Sequence, residues 1–345
     1  MNVPQKFHIE DATIQGVRMA LSHPREWVPG LVHALRTAQS PVGAAPLAAA
    51  LWFSMLCALW AYVRSNITGS TSQVDMMWSL LPPAYVTWFA ALAFYTSGAS
   101  PRLAVMTALA LAWSIRMTYN FARKGGYSGV EDYRWPVLRR RISNPILWQL
   151  FNIGFVSIYQ NLLLLSLALP AWAVFLRSQS AWTAVDTAAL SMFLMFLLLE
   201  TVADEQQWRF QCRKHALTLV QRAQHPNPDI RRGFLTSGLF RFSRHPNFFA
   251  EQGMWWAFYL FAVGAVLGEQ KNPAWWRVIF QGSAVPFFHW SIIGPVQLTL
   301  LFQGSTWLTE QLSLEKYGDL YRAYQRRTSR LIPMWAPALL KEHRA

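Results

Sequence analysis

Cysteine is nearly absent: two in 345 residues, Cys57 in an apolar run and Cys212 in a basic polar one, which leaves neither a disulfide framework nor a four-thiolate zinc site. Histidines at metal-ligand spacing are missing too, so no metal site is expected. Charge is scarce. Asp, Glu, Lys and Arg make up 14% of the chain, against roughly 25% in an average soluble domain. Acidic charge is scarcest, with 17 Asp and Glu against 31 Lys and Arg, a formal net charge of +14. No polar block is long enough to carry that excess on a soluble domain, which argues against a nucleic-acid partner. No G-x-G-x-x-G opens a helix after a strand, so a soluble dinucleotide fold is excluded. Residues 1–40 are polar and charged throughout and lack the apolar core of a signal peptide.

What the chain has is apolar mass: 53% hydrophobic residues, 15% aromatic, 18 of them Trp. A bilayer core takes about 20 apolar residues per helix. Seven stretches qualify: Ala44–Val63, Met77–Tyr95, Leu103–Tyr119, Leu147–Phe175, Val185–Ala203, Phe248–Leu267 and Arg277–Phe302. The expected fold is an all-α, multi-pass membrane helix bundle of about seven spans. The fourth and seventh are long and hold Gly154 and Pro170, or Pro286, Gly294 and Pro295, so tilts or breaks are expected there. The expected organisation is a polar extension over 1–43, a membrane domain over 44–337 and a tail over 338–345.

The loop charges orient the bundle. Residues 120–144 carry Arg123, Lys124, Arg134, Arg139, Arg140 and Arg141 against Glu131 and Asp132. Residues 204–245 and the segment after Phe302 are basic as well, whereas the alternate loops are short and lightly charged. With seven spans the basic segments share one side, which puts the C-terminus in the cytosol and the N-terminus outside or in a lumen.

Four clusters could carry chemistry. In SGLFRFSRHPNFFAEQGMWW (237–256), Arg241, Ser243, Arg244 and His245 precede a helix start in which Pro246 suits the first turn and Asn247 can cap. Two arginines beside free helix N–H groups attract a phosphate, or they are an ordinary basic flank. Glu251 lies one turn inside the span, where an ionisable group marks a site. Glu200, Asp204 and Gln207 share a helix stripe at the end of the fifth span, either as a polar site or as solvated residues at a helix exit. Asp75 opens the second span as a cap or as a cavity-facing acid, and Glu131-Asp132-Tyr133-Arg134-Trp135 is a loop ion network or a ligand lid. In the tail, Tyr317, Tyr321, Tyr324 and Thr328 recur at helical spacing among Arg326 and Arg327, a pattern fit for stacking with phosphate contact or for an amphipathic helix on anionic lipid.

The segments GLFRFSRHPNFFAE, ETVADEQQWRFQ, GVEDYRW and EKYGDLYRAYQRRTSRLIP resemble the steroid 5-alpha-reductase superfamily, in particular its DUF1295 branch, over roughly 44–337. The resemblance implies a seven-helix membrane reductase that takes NADPH from the cytosolic side and passes hydride to an activated carbon–carbon double bond of a lipid, sterol or steroid-like substrate entering from the bilayer. It implies cofactor-binding roles for Asp204, Asn247, Glu251 and Tyr317. Gln207, Arg241, Ser243, Arg244, His245, Tyr324 and Arg327 complete the expected cofactor set. On the substrate side Asp75 maps onto the family's second-helix acid and, protonated, would polarise a carbonyl. The family's third-helix Tyr falls on Trp113, so Tyr119 or Tyr133 is the alternative phenol, with Tyr119 taken as the catalytic one. The expected location is the endoplasmic reticulum of a eukaryote or the inner membrane of a bacterium. Two other readings compete: an S-adenosylmethionine-dependent lipid or prenyl-cysteine methyltransferase, and a non-catalytic lipid-binding membrane protein.

Overall fold

The computed structural model describes residues 45–269 and 289–334; the N-terminal extension and the first part of the expected seventh span lie outside them. The described residues are helical, and four of the helices are long and apolar enough to cross a membrane: Ala45–Thr68, Gln73–Ser97, Pro145–Leu167 and Ala184–His215. These coincide with the first, second, fourth and fifth expected spans. The third and sixth fall on helices of 23 residues each, Pro101–Arg123 and Pro246–Gly268.

The molecule divides into two compact units, one running to Trp182 and taking in the stretch that begins at Ala265, the other running over Thr183–Gly264 and resuming in the C-terminal part. In the first unit, α1 (Ala45–Thr68), α2 (Gln73–Trp78), α3 (Leu81–Ser97) and α4 (Pro101–Arg123) follow one another through short connections. Pro82 and Pro101 sit in first turns, where a missing N–H costs nothing. The loop after α4 leads into α5 (Arg134–Arg141). Asn144 then caps α6 (Pro145–Phe151), its side chain accepting from the N–H groups of Ile146 and Leu147 at 2.9 and 3.2 Å.

The fourth expected span is interrupted, as its Gly and Pro forecast. α6 passes into a π-helical stretch, Asn152–Tyr159, then α7 (Gln160–Leu167), and a break at Ala168 precedes α8 (Leu169–Phe175), with Pro170 in its first turn. Along the widened stretch Phe151, Phe155 and Tyr159 stack at 5.0 and 5.4 Å, four residues apart in sequence. The core of this unit is Tyr85, Phe89, Trp113 and Trp172, with Phe89 and Trp172 rings 5.5 Å apart. Arg102, 2% exposed, fastens the start of α4 by donating to the carbonyls of Ser180 (3.3 Å) and Ala181 (2.6 Å).

The second unit starts with α9 (Ala184–His215), whose Asp186 carboxylate reaches back to the Thr183 N–H at 2.7 Å. At 1.5 Å per residue its 32 residues extend about 48 Å, well beyond a hydrocarbon core of about 30 Å. The apolar part ends at Ala203, and the turns from Asp204 onward project past it. Short helices α10 (Leu219–Ala223) and α11 (Pro228–Arg232) and a single turn over Gly238–Arg241 lead to α12 (Pro246–Gly268). α13 (Ile293–Tyr317) and α14 (Asp319–Arg327) close the described chain. Gly253 has no side chain because the Phe196 ring occupies that space: a Cβ there would lie 2.6 Å from its edge.

Candidate functional site

In the second unit the segment Ser243–Asn247 meets the end of α9 and the C-terminal helices. Asp204, 5% exposed, accepts from the Asn247 side-chain amide at 3.2 Å, joining residues 43 apart in sequence. Asp204 is buried, as is Glu200 one turn earlier, so the acidic stripe is not a solvated helix exit. Gln207 is half-buried one turn on. Glu251 is 2% exposed and accepts from the Trp255 indole at 2.9 Å.

Arg244 and Arg241 part company. Arg241 is exposed, whereas Arg244 turns inward and meets Glu310 as a fork, Nε to Oε1 at 2.6 Å and Nη2 to Oε2 at 3.1 Å. Its Nη1 donates to the carbonyls of Gln325 (3.0 Å) and Thr328. Arg244 is thus a clamp between the helix entrance and the tail, with its donors spent inside the protein rather than held out to a phosphate. His245 also meets Glu310, Nε2 to Oε1 at 3.1 Å, and Gln325 donates to Oε2 at 3.0 Å. Burial on its own would raise the Glu310 pKa, but hydrogen bonds from His245 and Arg244 and the Arg244 charge outweigh it and bring it down to about 2. Burial, with the Arg244 and Arg330 charges, holds the His245 pKa below its ordinary value despite Glu310. A neutral His245 facing an ionised carboxylate must carry its proton on Nε2.

Ser243 is fully buried, its hydroxyl donating to the Leu331 carbonyl at 2.6 Å and accepting from the His245 N–H at 3.1 Å. The tail tyrosines are used structurally: Tyr317 donates to the Gly233 carbonyl at 3.0 Å and Tyr324 to the Phe240 carbonyl. Tyr317, Tyr321 and Tyr324 surround Phe234 with ring centroids 4.9, 5.3 and 5.7 Å away. The helical spacing of these aromatics was legible; that a phenylalanine 83 residues earlier fills the space between them was not. Burial pushes the Tyr324 phenol well above its ordinary value. Arg327 is exposed.

In the first unit Asp75 accepts from the Trp135 indole at 2.9 Å, which docks the 131–135 loop onto the start of α2. The same loop is an ion network. Arg134 pairs with Asp132 at 2.8 Å, Arg139 with Glu131 at 2.9 Å, and Glu131 also accepts from the Thr71 N–H at 2.7 Å. Burial would raise the Asp132 carboxyl, yet the Arg134 guanidinium beside it holds the pKa below the usual range. Tyr119 is exposed with Arg123 over its ring at 5.3 Å, and Tyr133 is exposed as well. Trp113, on the same helix as Tyr119, is fully buried. The contacts of Glu310 with Arg244 and of Trp135 with Asp75 do not follow from the sequence pattern. The two pairs are 66 and 60 residues apart, and no local spacing points to them.

Among the described residues no group of three or more His, Cys, Asp or Glu side chains is placed to hold a metal ion. The family model "Protein of unknown function (DUF1295)" matches residues 60–328. An uncharacterized protein of Schizosaccharomyces pombe, C594.04c, is 41% identical over 275 residues, covering 77% of this chain and 73% of that protein. No solved structure matches. With most of its length matched by the family model and by a relative of this similarity, the chain belongs to the DUF1295 family.

Proposed function

We propose that the protein is a multi-pass membrane reductase that uses NADPH to saturate an activated carbon–carbon double bond of a lipid, sterol or steroid-like molecule taken from the bilayer. Seven spans, a cytosolic C-terminus and residence in the endoplasmic reticulum or a bacterial inner membrane belong to this reading. The observation that carries it is the hydrogen bond between Asn247 and Asp204. The resemblance to steroid 5-alpha-reductases names these two residues separately as cofactor ligands, and they meet at one part-buried spot. An amide beside a carboxylate offers a donor and acceptors together, which suits a carboxamide or ribose hydroxyls. Exposed Arg241 and Arg327 keep their guanidinium groups for phosphates, the role Arg244 has given up to Glu310. When bound, NADPH would supply the hydride.

On the substrate side Asp75 is the acid. The Trp135 indole donates to one of its oxygens and orients the group, which, when protonated, would donate to a substrate carbonyl oxygen as enolate charge develops there. A non-catalytic lipid-binding role is the second reading, favoured by the buried Trp113 where the resemblance asks for a phenol.

The test is NADPH binding to the purified protein in detergent, followed by fluorescence, with S-adenosylmethionine as the parallel ligand. The expected result is saturable NADPH binding that Asn247→Ala weakens about tenfold or more. Binding of S-adenosylmethionine instead would transfer the protein to the methyltransferases, and binding of neither would leave the non-catalytic reading.

A further inference from the structure

On the far side of α9 from Asp204 lies a cavity of about 340 Å³, formed wholly within the second unit. Its wall is a helical stripe, Gln206, Arg209, Phe210 and Arg213, at the i, i+3, i+4, i+7 spacing that puts four residues on one face. At 100° per residue that face points about 140–240° away from Asp204, so the cavity does not share the Asp204–Asn247 spot. The opposite rim is the 227–238 segment, with Asn227, Ser237 and Gly238. The rim is fixed: the Gln206 side-chain oxygen accepts from the Leu239 N–H at 2.9 Å, and only glycine fits at 238, where φ is +63° and a Cβ would come within 2.5 Å of that oxygen.

The charges around the cavity are lopsided. Arg213 is exposed at its edge, and Arg209, also exposed, pairs with Glu205 on its own helix at 2.7 Å.

We propose that this cavity binds a phosphomonoester carried on a ring of sugar or inositol size, with the phosphate between Arg209 and Arg213, the ring against Phe210, and Asn227 and Ser237 meeting its hydroxyls. The volume lies at the small end of ligand sites, too small for a whole dinucleotide. Two guanidinium groups one turn apart give the forked donors that phosphate oxygens take best. The phosphate arrives either on a free metabolite or on a phospholipid headgroup.

The experiment uses the full chain in phosphatidylcholine nanodiscs titrated with myo-inositol monophosphate, and in parallel nanodiscs doped with phosphatidylinositol monophosphate, with lipid retention read by native mass spectrometry. Saturable binding in the first arm assigns a free metabolite; retention of the doped lipid alone assigns the headgroup. Either result supports the site when Arg209→Gln with Arg213→Gln, two exposed positions, weakens it about tenfold or more. Absence of binding in both arms, or binding unchanged in the double variant, overturns it. Competition by NADPH overturns it as a separate site.

Discussion

At the scale of the residue, one carboxylate organises the second unit's polar cluster. Glu310 receives the Arg244 fork, the His245 ring and the Gln325 amide, with only about a tenth of its side chain exposed. Glu310→Gln leaves a buried guanidinium without its counter-charge, and the expected cost is about 3–5 kcal/mol, read from denaturant or thermal unfolding in detergent. The pH dependence has a definite sign. The Glu310 pKa, about 2 when folded, lies below its ordinary 4.5, so the stabilisation is complete above 4.5 and is lost as pH falls toward 2. His245 is also held below its ordinary value. It resists protonation when folded, and stability is lost as pH falls below about 6.5. Both groups act in one direction, so melting temperature is expected to fall on acidification from neutrality, and Glu310→Gln is expected to flatten the limb below 4.5. A melting temperature rising toward acid would contradict this assignment. The residue types of the site were legible in the sequence: basic flank, helix-start Asn, acidic stripe. The inward turn of Arg244 was not, because its partner is 66 residues away.

At the scale of the element, helix starts follow from their local chemistry. Asn144-Pro145, Ser100-Pro101 and the Thr183/Asp186 box mark real starts, since each supplies an acceptor or removes a donor where the helix has none to satisfy. The break in the fourth span was readable from Gly154 and Pro170. Its π-helical form, along which the rings of Phe151, Phe155 and Tyr159 stack, was not. Helical glycines separate the local from the tertiary cause. Gly304 in α13 has open space where a Cβ would stand, with nothing within 4 Å, so Gly304→Ala is expected to stabilise by up to about 1 kcal/mol through propensity alone. Gly264 in α12 abuts the Asp186 carboxylate, and an added Cβ there would displace it from its cap on Thr183. Gly264→Ala is therefore expected to destabilise by about 1–3 kcal/mol despite the same gain in propensity. Thermal melts of the two variants side by side test this, and a stabilised Gly264→Ala would show that Asp186 is not held by that contact.

At the scale of the whole molecule, the apolar excess and the scarcity of charge pointed to a membrane protein, and four helices have the length and composition to span one. The expected third and sixth spans, on α4 and α12, are not among those four helices. Their apolar residues are interrupted by groups such as Arg116, which is half-buried, and Glu251, which is buried. Loop charge supplies the handle on orientation that hydropathy lacks, because Lys and Arg are retained on the cytosolic side. The two cysteines make the orientation measurable without engineering. Cys57 is half-buried within α1, while Cys212 is exposed in the basic segment that follows the apolar part of α9. In sealed membrane vesicles whose cytosolic face is outward, a membrane-impermeant maleimide is expected to label Cys212, and a C-terminal tag is expected to be accessible without opening the membrane. Labelling of Cys212 only after the vesicles are opened would reverse the orientation and put the 204–245 segment on the non-cytosolic side. Cys212 protected together with an accessible tag would mean an odd number of crossings between them, against the two that the expected sixth and seventh spans supply.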